Sequence, residues 1–258
     1  MGLKRILVFI LVIALLGAFS YFFPSIQEMT GDTINQEPAD YPKEEAILTK
    51  VTDGDTIHAL VNGEDVTIRM LGINAPEKNM PLANESRQFL EQFINQTIYL
   101  QGDKEDEDKY YRKLRYVFAE NGSRNLNIGL LELGFVNSYI FENLIYEKEL
   151  LRAEAQARNL GIGIWKKSGE ECVQCLSLIE LNATEEFFVI ENICDFDCSL
   201  DGWFAKNSGR SSFWLDPMKA GEARNYSSEI LNREVWNNDH DSFFIFDETG
   251  KLVIYYSY

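Results

Sequence analysis

Alternating apolar and polar positions in the middle of the chain predict β-strands. The runs 46–52, 56–61 and 65–73 are separated by the turn dipeptides Asp-Gly and Asn-Gly, as in β-hairpins. Residues 97–102 and 113–122 show the same alternation. We therefore expect five strands in this part of the chain.

Apolar residues recur at helical intervals between and after these strands. Segments 83–95, 125–135 and 147–165 predict helices, and Gly134 and Gly161 are expected to end the last two of them. The order of three strands, one helix, two strands and two helices predicts an α+β fold. Its expected form is a five-stranded barrel of the OB type with helices packed outside.

The last third of the chain has a different pattern. Residues 176–258 contain short runs of aromatic and β-branched residues punctuated by Gly, Asn and Asp. Several strands at this spacing predict an all-β sandwich. We therefore expect two folded domains, at 46–167 and 168–258.

The N-terminus predicts export. Lys4 and Arg5 precede residues 6–23, which are apolar and uncharged, close to the length that a membrane-spanning helix needs. The basic pair favours an N-terminus inside and the remainder outside. Residues 1–23 are expected to be a membrane anchor or a cleaved signal segment, so the protein is extracytoplasmic, either anchored or secreted. Residues 24–45 are polar and proline-containing and predict a linker.

The charge narrows the possible sources of phosphate binding. The formal net charge is −17, and the excess of acidic over basic residues is concentrated in residues 168–258. The overall field of such a protein does not attract nucleic acid. Any phosphate chemistry must come from local arginines or from a bound cation.

Two arginines and a glutamate are candidate catalytic residues. Arg69 interrupts an apolar strand, Glu77 follows the next turn, and Arg112 lies in a charged segment. Guanidinium groups bind phosphate and stabilise charge on five-coordinate phosphorus, and a carboxylate can activate water. Each feature also has an ordinary reading, since a lone arginine can extend its charge to the surface and a charge run is usually a solvated face.

Oxygen ligands for a metal ion lie in the same stretches. Asp55 is in a strand turn, and Asn74 and Ala75 precede Glu77. A carboxylate, an amide oxygen and a backbone carbonyl suit Ca²⁺, with Mg²⁺ or Mn²⁺ as alternatives. The ordinary reading of the Asp-Gly pair is a bare hairpin turn.

Specific motifs run through the whole first domain in one order. They are VTDGDTI, IRMLGINAPE, DKYYRKLRYVF, GLLELGF and AEAQARNLGIGIW, within 46–167. This segment resembles the thermonuclease, or staphylococcal-nuclease-like, family. The resemblance implies an OB-type barrel with Ca²⁺-dependent phosphodiesterase activity on DNA and RNA.

The resemblance also assigns roles to positions. The family's catalytic residues fall on Arg69, Glu77 and Arg112, and its metal carboxylates fall on Asp55 and the place of Asn74. Two positions depart from the family's pattern. Asn74 replaces an aspartate and removes one negative charge, and Tyr111 stands where a glycine often precedes the second arginine. We expect weaker cation binding from the first departure and an altered loop from the second.

Aromatic residues near these motifs are candidates for contact with a base or sugar. The candidates are Tyr110, Tyr139 and Phe141. The alternative is that they belong to the core or its rim.

The second domain resembles a lamin-tail domain. The matching segments are IELN, EEFFVIEN, LDGW and WNNDHDSFFIFDETGKLV. The resemblance implies an immunoglobulin-like sandwich that binds or positions an unknown ligand, and it transfers no catalytic residues.

Four cysteines lie at the start of this domain, in a C-x2-C and a C-x3-C pair: Cys172, Cys175, Cys194 and Cys198. If the intervening strands pair, all four sulfurs converge. Such an arrangement permits a structural Zn²⁺ site or two disulfides. Export favours disulfides and the paired spacing favours zinc, so both alternatives stay open.

The leading hypothesis is an exported, membrane-anchored, metal-dependent nuclease that acts as a monomer on DNA, with RNA as an alternative substrate. The alternative is a catalytically weak or inactive surface module that binds nucleic acid or protein.

Overall fold

The computed structural model describes residues 41–141, 143–228 and 235–258, and all of them belong to one compact unit. The segment 6–23, for which we predicted a membrane anchor or signal, lies outside the described residues. Within the described part of the chain, no helix is both long and apolar enough to span a bilayer.

Five strands form a closed barrel in the first half of the chain. They are β1 (Lys43–Val51), β2 (Thr56–Val61), β3 (Glu64–Met70), β5 (Thr97–Gln101) and β6 (Lys113–Ala119). The antiparallel order is β3-β2-β1-β5-β6. A parallel pairing of Ile68–Met70 in β3 with Lys113–Arg115 in β6 closes the barrel. The predicted five-stranded barrel with external helices is confirmed.

Shorter elements connect these strands. They are β4 (Ile73–Asn74), α1 (Ala83–Glu91), β7 (Arg124–Asn125), α2 (Leu126–Glu132), β8 (Asn137–Ser138), α3 (Glu147–Leu160) and a 3₁₀ turn at Gly163–Trp165. Strand β4 pairs with β8, which places Asn74 opposite Asn137. The barrel interior is apolar, and its fully buried side chains include Leu48, Ile57 and Ile98.

Several predicted element ends were wrong. The first strand begins at Lys43, inside the predicted linker, because its first residues pair antiparallel with β5, where Lys43 lies opposite Gln101. The third strand ends at Met70, since Gly72 takes a φ of 72° and turns the chain. The helix predicted at 83–95 ends at Glu91, and Asn95 already pairs with the carbonyl of Leu48 at 2.8 Å.

Two antiparallel sheets occupy the last third of the chain. One contains β9 (Leu176–Asn182), β10 (Phe187–Asn192) and β13 (Ala223–Ser227), and the other contains β11 (Phe204–Lys206), β12 (Ser212–Trp214), β14 (Ser242–Phe246) and β15 (Leu252–Ser257). The ring of Phe188 contacts Phe213 and Phe243 of the second sheet. The two sheets therefore share one aromatic core, as the predicted sandwich requires. The finer assignment to an immunoglobulin-like lamin-tail domain stays a prediction.

The four cysteines of this region form two disulfides. The region begins with a 3₁₀ turn at Glu171–Gln174, which contains Cys172. Cys172 pairs with Cys198 at a Cα–Cα distance of 5.8 Å, and Cys175 pairs with Cys194 at 5.1 Å. Of the two alternatives that the sequence left open, the structure contains the disulfides. Both bonds attach the start of β9 to the loop that follows β10.

The helices beside the barrel and the last sheet share a second apolar cluster. Ala157 of α3 and Trp165 pack with Phe204, Phe244 and Leu252 from the last sheet. Burial of several large side chains between the two parts holds them in one relative position. The loops of region 168–258 therefore have defined positions relative to the barrel.

Candidate active site

Asp55 lies at the centre of a polar cluster between β1 and β2. Its side chain is 1% exposed, and its two carboxylate oxygens have different partners. Oδ1 accepts a hydrogen bond from the Thr56 hydroxyl at 3.0 Å, and Oδ2 accepts one from the Ala75 amide at 2.8 Å. Gly54 allows this approach, because a Cβ at that position would clash with the side chains of Ser86 and Ala75.

Arg69 has a protein partner for its buried charge. The side chain is on β3 and the residue is 8% exposed. Its Nε lies 3.3 Å from Asp55 Oδ1, and its Nη1 donates to the carbonyl of Met70. Burial lowers the pKa of Arg69, while the negative charge of Asp55 opposes this effect. A buried guanidinium needs an anionic partner, and Asp55 supplies one within the protein itself.

Arg112 is held by a bidentate ion pair. Its Nε and Nη2 lie 2.8 and 2.6 Å from Asp108 Oδ2, and its Nη1 donates to Thr56 Oγ1 at 3.4 Å. Burial alone raises the pKa of Asp108, but hydrogen bonds from Arg112 outweigh it and lower that pKa. Thr56 thus connects Arg112 to Asp55, and the two predicted arginines lie in one hydrogen-bonded cluster.

The loop before Arg112 keeps the conformation of a glycine turn despite Tyr111. Tyr111 has a φ of 63°, in the left-handed region that favours glycine. The Asp108 carboxylate accepts hydrogen bonds from the amides of Tyr110 and Arg112, which stabilises the turn. Tyr111 therefore adopts the positive φ that we expected a tyrosine to avoid, because the surrounding hydrogen bonds stabilise this backbone.

Asn74 is the last residue of β4, and Glu77 lies three residues beyond it. Asn74 is buried, and its Nδ2 donates to the carbonyl of Gly209, in the second sheet region, at 3.1 Å. A carbonyl accepts but does not donate, so this contact sets the orientation of the amide. The side chain of Glu77 is about half exposed. Its Oε1 lies 3.0 Å from the Nε of Arg210.

Arg210 and Asp53 are polar residues of this site that the sequence reasoning missed. Arg210 Nη2 lies 3.7 Å from Asp55 Oδ1, so this arginine approaches both carboxylates. Asp53 accepts from the Asp55 amide at 3.0 Å, and burial, then the charge of Asp55, raises its pKa. The Asp-Gly-Asp turn motif could have identified Asp53 from the sequence. Arg210 lies in a turn far along the chain, and no local sequence motif marks it.

A groove lies beside the two predicted arginines. Its volume is about 320 Å³, and its lining includes Arg69, Arg112, Tyr110, Tyr139 and Phe141. The exposed fractions of Tyr110 and Tyr139 are 65% and 36%. The aromatic candidates thus lie at the surface of the groove rather than in the core. Flat, exposed rings beside guanidinium groups are suited to stacking with nucleobases.

The three predicted metal ligands have the oxygen donor types that a hard cation takes. Asp55, Asn74 and Ala75 are adjacent through the contact between the Asp55 carboxylate and the Ala75 amide. They provide oxygen ligands with one full negative charge, which suits Ca²⁺ or Mg²⁺ at low affinity. Among the described residues, no group of three or more His, Cys, Asp or Glu side chains is arranged to bind a metal.

Comparisons with known proteins find sequence similarity over the barrel region. The profile of the staphylococcal nuclease homologue family matches residues 67–167. Protein ParB of Escherichia coli is 33% identical over 125 residues, which cover 46% of this chain and 70% of the relative. A thermonuclease of Staphylococcus hyicus is 31% identical over 126 residues, covering 46% and 73% of the two chains. A thermonuclease of Staphylococcus intermedius is 26% identical over 174 residues, covering 64% and 100%.

Proposed function

The chain belongs to the staphylococcal nuclease homologue family, and from this we propose that it hydrolyses phosphodiester bonds in DNA, and in RNA, with the help of Ca²⁺. The observation that carries the proposal is the cluster around Asp55. Arg69 contacts Asp55 directly, and Arg112 contacts it through Thr56, so both arginines lie at one end of the barrel.

The residues of the cluster have complementary tasks in hydrolysis. Arg69 and Arg112 bind the phosphate and stabilise the negative charge that grows on its oxygens. Glu77 accepts a proton from the attacking water while the water oxygen forms a bond to phosphorus. The bond from phosphorus to the leaving oxygen breaks in the same displacement. Partial exposure of Glu77 gives water access to this carboxylate.

Asp55, Asn74 and the Ala75 carbonyl would hold the cation. A hard divalent ion supplies additional positive charge to the phosphate when it is bound. Because Asn74 is an amide, we expect a requirement for high Ca²⁺ concentrations, with Mg²⁺ and Mn²⁺ as weaker substitutes.

Export and the second domain belong to the same proposal. Residues 6–23 hold the protein at the outer side of the membrane, and the region 168–258, which resembles a lamin-tail domain, binds or positions an accessory ligand. Carbonate extraction of membranes tests the anchor. An anchored chain stays in the membrane fraction, whereas a chain with a cleaved signal is recovered in the medium.

A cleavage assay tests the nuclease proposal. The purified full chain, in detergent, is incubated with a fluorescent oligonucleotide and CaCl₂ or EGTA. We expect cleavage with Ca²⁺ and none with EGTA. Glu77→Gln removes the base and should lower the rate about 100-fold or more. Glu64→Gln, at an exposed position of the β2–β3 hairpin, is the matched control and should leave the rate unchanged.

Two outcomes would contradict the proposal. Cleavage that Glu77→Gln leaves unchanged would remove the proposed base. Oligonucleotide binding without turnover in Ca²⁺, Mg²⁺ and Mn²⁺ would favour the alternative function, a surface module that binds nucleic acid.

A further inference from the structure

A turn from the second sheet region lies against the candidate active site. Residues 207–211 connect β11 to β12, and internal bonds define their shape. The Asn207 amide donates to the Ser211 carbonyl and the Asn207 Nδ2 donates to the Val235 carbonyl, at 3.3 and 2.6 Å. The Ser208 amide and hydroxyl both donate to Asp241. The turn therefore keeps its conformation independently of the barrel.

Three polar contacts attach this turn and its flanking strand to the barrel. Asn74 Nδ2 donates to the Gly209 carbonyl at 3.1 Å, and Asn137 Nδ2 donates to the Ser208 carbonyl at 2.7 Å. The Lys206 ammonium donates to Asn137 Oδ1 at 2.9 Å. Because the two barrel residues come from the paired strands β4 and β8, the turn is held at the edge that carries the proposed metal ligands.

This position brings the guanidinium of Arg210 to both carboxylates of the site. Nε lies 3.0 Å from Glu77 Oε1, and Nη2 lies 3.7 Å from Asp55 Oδ1. An arginine has five N–H donors. Among the contacts of the described residues, none involves Nη1. The side chain is 46% exposed, so part of the guanidinium faces solvent at the mouth of the site.

The local charges leave Arg210 able to bind an anion. Asp55 is already paired with Arg69 at 3.3 Å, and Asp108 neutralises Arg112. Asn74 is uncharged, so it does not give Arg210 the further carboxylate partner that an aspartate would provide. Arg210 therefore has Glu77 as its nearest carboxylate, with Asp55 at a longer distance, and its remaining donors lie beside the proposed base.

We propose that Arg210 is a third phosphate-binding arginine of the active site, supplied by the second domain. The inference rests on the proposed nuclease function and deepens it. The Glu77 carboxylate orients the guanidinium, and the solvent-facing donors bind a phosphate oxygen of the polynucleotide. The active site is then composite, since neither the barrel nor the second domain contains all three arginines.

The test uses the full chain with Arg210→Ala and Arg210→Lys. Lys219→Ala is the control, because it removes one positive charge from an exposed position of the same domain. Cleavage of an oligonucleotide should show kcat/KM reduced about 10-fold to 100-fold in Arg210→Ala, with partial recovery in Arg210→Lys. Lys219→Ala should be unchanged. Equal thermal midpoints for the alanine and control variants show that folding is intact.

Binding is measured separately in EGTA, in which no turnover is expected and the Glu77 carboxylate stays in contact with Arg210. The dissociation constant of a fluorescent single-stranded oligonucleotide is followed against NaCl concentration. Loss of one phosphate contact should raise it about 10-fold and reduce the salt slope by about 0.7. This readout does not depend on catalysis, so it tests Arg210 even if the protein shows no turnover.

Two results would overturn the inference. If kcat/KM and the salt slope of Arg210→Ala equal those of the control, Arg210 does not bind phosphate. If Arg210→Ala is faster than the unmodified protein, Arg210 instead blocks Glu77 and Asp55. In both cases an active unmodified protein still supports the nuclease proposal.

Discussion

Replacement of Asn74 by aspartate separates the two roles of this side chain, which are the hydrogen bond to Gly209 and the proposed binding of a cation. The Asn74 amide donates a buried hydrogen bond to the Gly209 carbonyl at 3.1 Å. An aspartate at this place cannot donate, and it sets a carboxylate oxygen against a carbonyl oxygen. At the same time it restores a charged ligand beside Asp55. An aspartate at position 74 therefore favours cation binding but weakens the contact between the barrel and the second domain.

The size of the effect follows from these contacts. A buried acceptor that loses its donor lowers the free energy of unfolding by about 1–3 kcal/mol. Asn74→Ala should show this loss alone, at about 1–2 kcal/mol. Asn74→Asp adds a buried charge facing an acceptor, so we expect about 1–2 kcal/mol more without metal. Ca²⁺ should recover part of this loss, by about 2.7 kcal/mol at a concentration one hundred times the dissociation constant.

Urea denaturation with intact disulfides measures these differences, in EGTA and in millimolar CaCl₂. The expected order of stability in EGTA is the unmodified protein, then Asn74→Ala, then Asn74→Asp. Only the aspartate variant should gain markedly from Ca²⁺. The reasoning is refuted if Asn74→Asp in EGTA is as stable as the unmodified protein, since the bond to Gly209 would then not determine the residue type.

Two further predictions concern the backbone and a buried charge. Tyr111→Gly should raise the free energy of unfolding by about 1 kcal/mol in chemical denaturation, because Tyr111 holds a φ of 63°. Tyr110→Gly is the control and should lower the free energy of unfolding, because Tyr110 has no positive φ. Equal effects of the two substitutions would show that the backbone at Tyr111 is not strained. Burial lowers the pKa of Lys206 to about 8. In the unfolded chain the pKa is near 10.5, so the unfolded state binds more protons between these values, and stability should rise with pH there. Relative to Lys206→Met, the unmodified protein should gain up to about 3 kcal/mol from pH 8 to 10.5, and a flat difference would show that the lysine is not buried in this way.

Much of the barrel could be predicted because its information is local. Alternation of apolar and polar residues sets the strands, and Gly161, with a φ of 62°, ends the third helix where the sequence predicts it. Short motifs likewise place Asp55, Arg69 and Arg112 near strand ends. Element ends were less predictable, since Lys43 joins its strand by pairing with Gln101, which is distant along the chain.

The sequence by itself determined the barrel, the family of the chain and a candidate site of arginines and oxygen ligands, because each rests on residues close together in the chain. Tertiary structure decided what completes that site. The bond from Asn74 to Gly209 spans 135 residues, and the same turn brings Arg210 to Glu77. The pairing of the four cysteines is also a tertiary result. Contacts at such separations arise from packing of the apolar cluster between the barrel and the sheets, which no local pattern encodes.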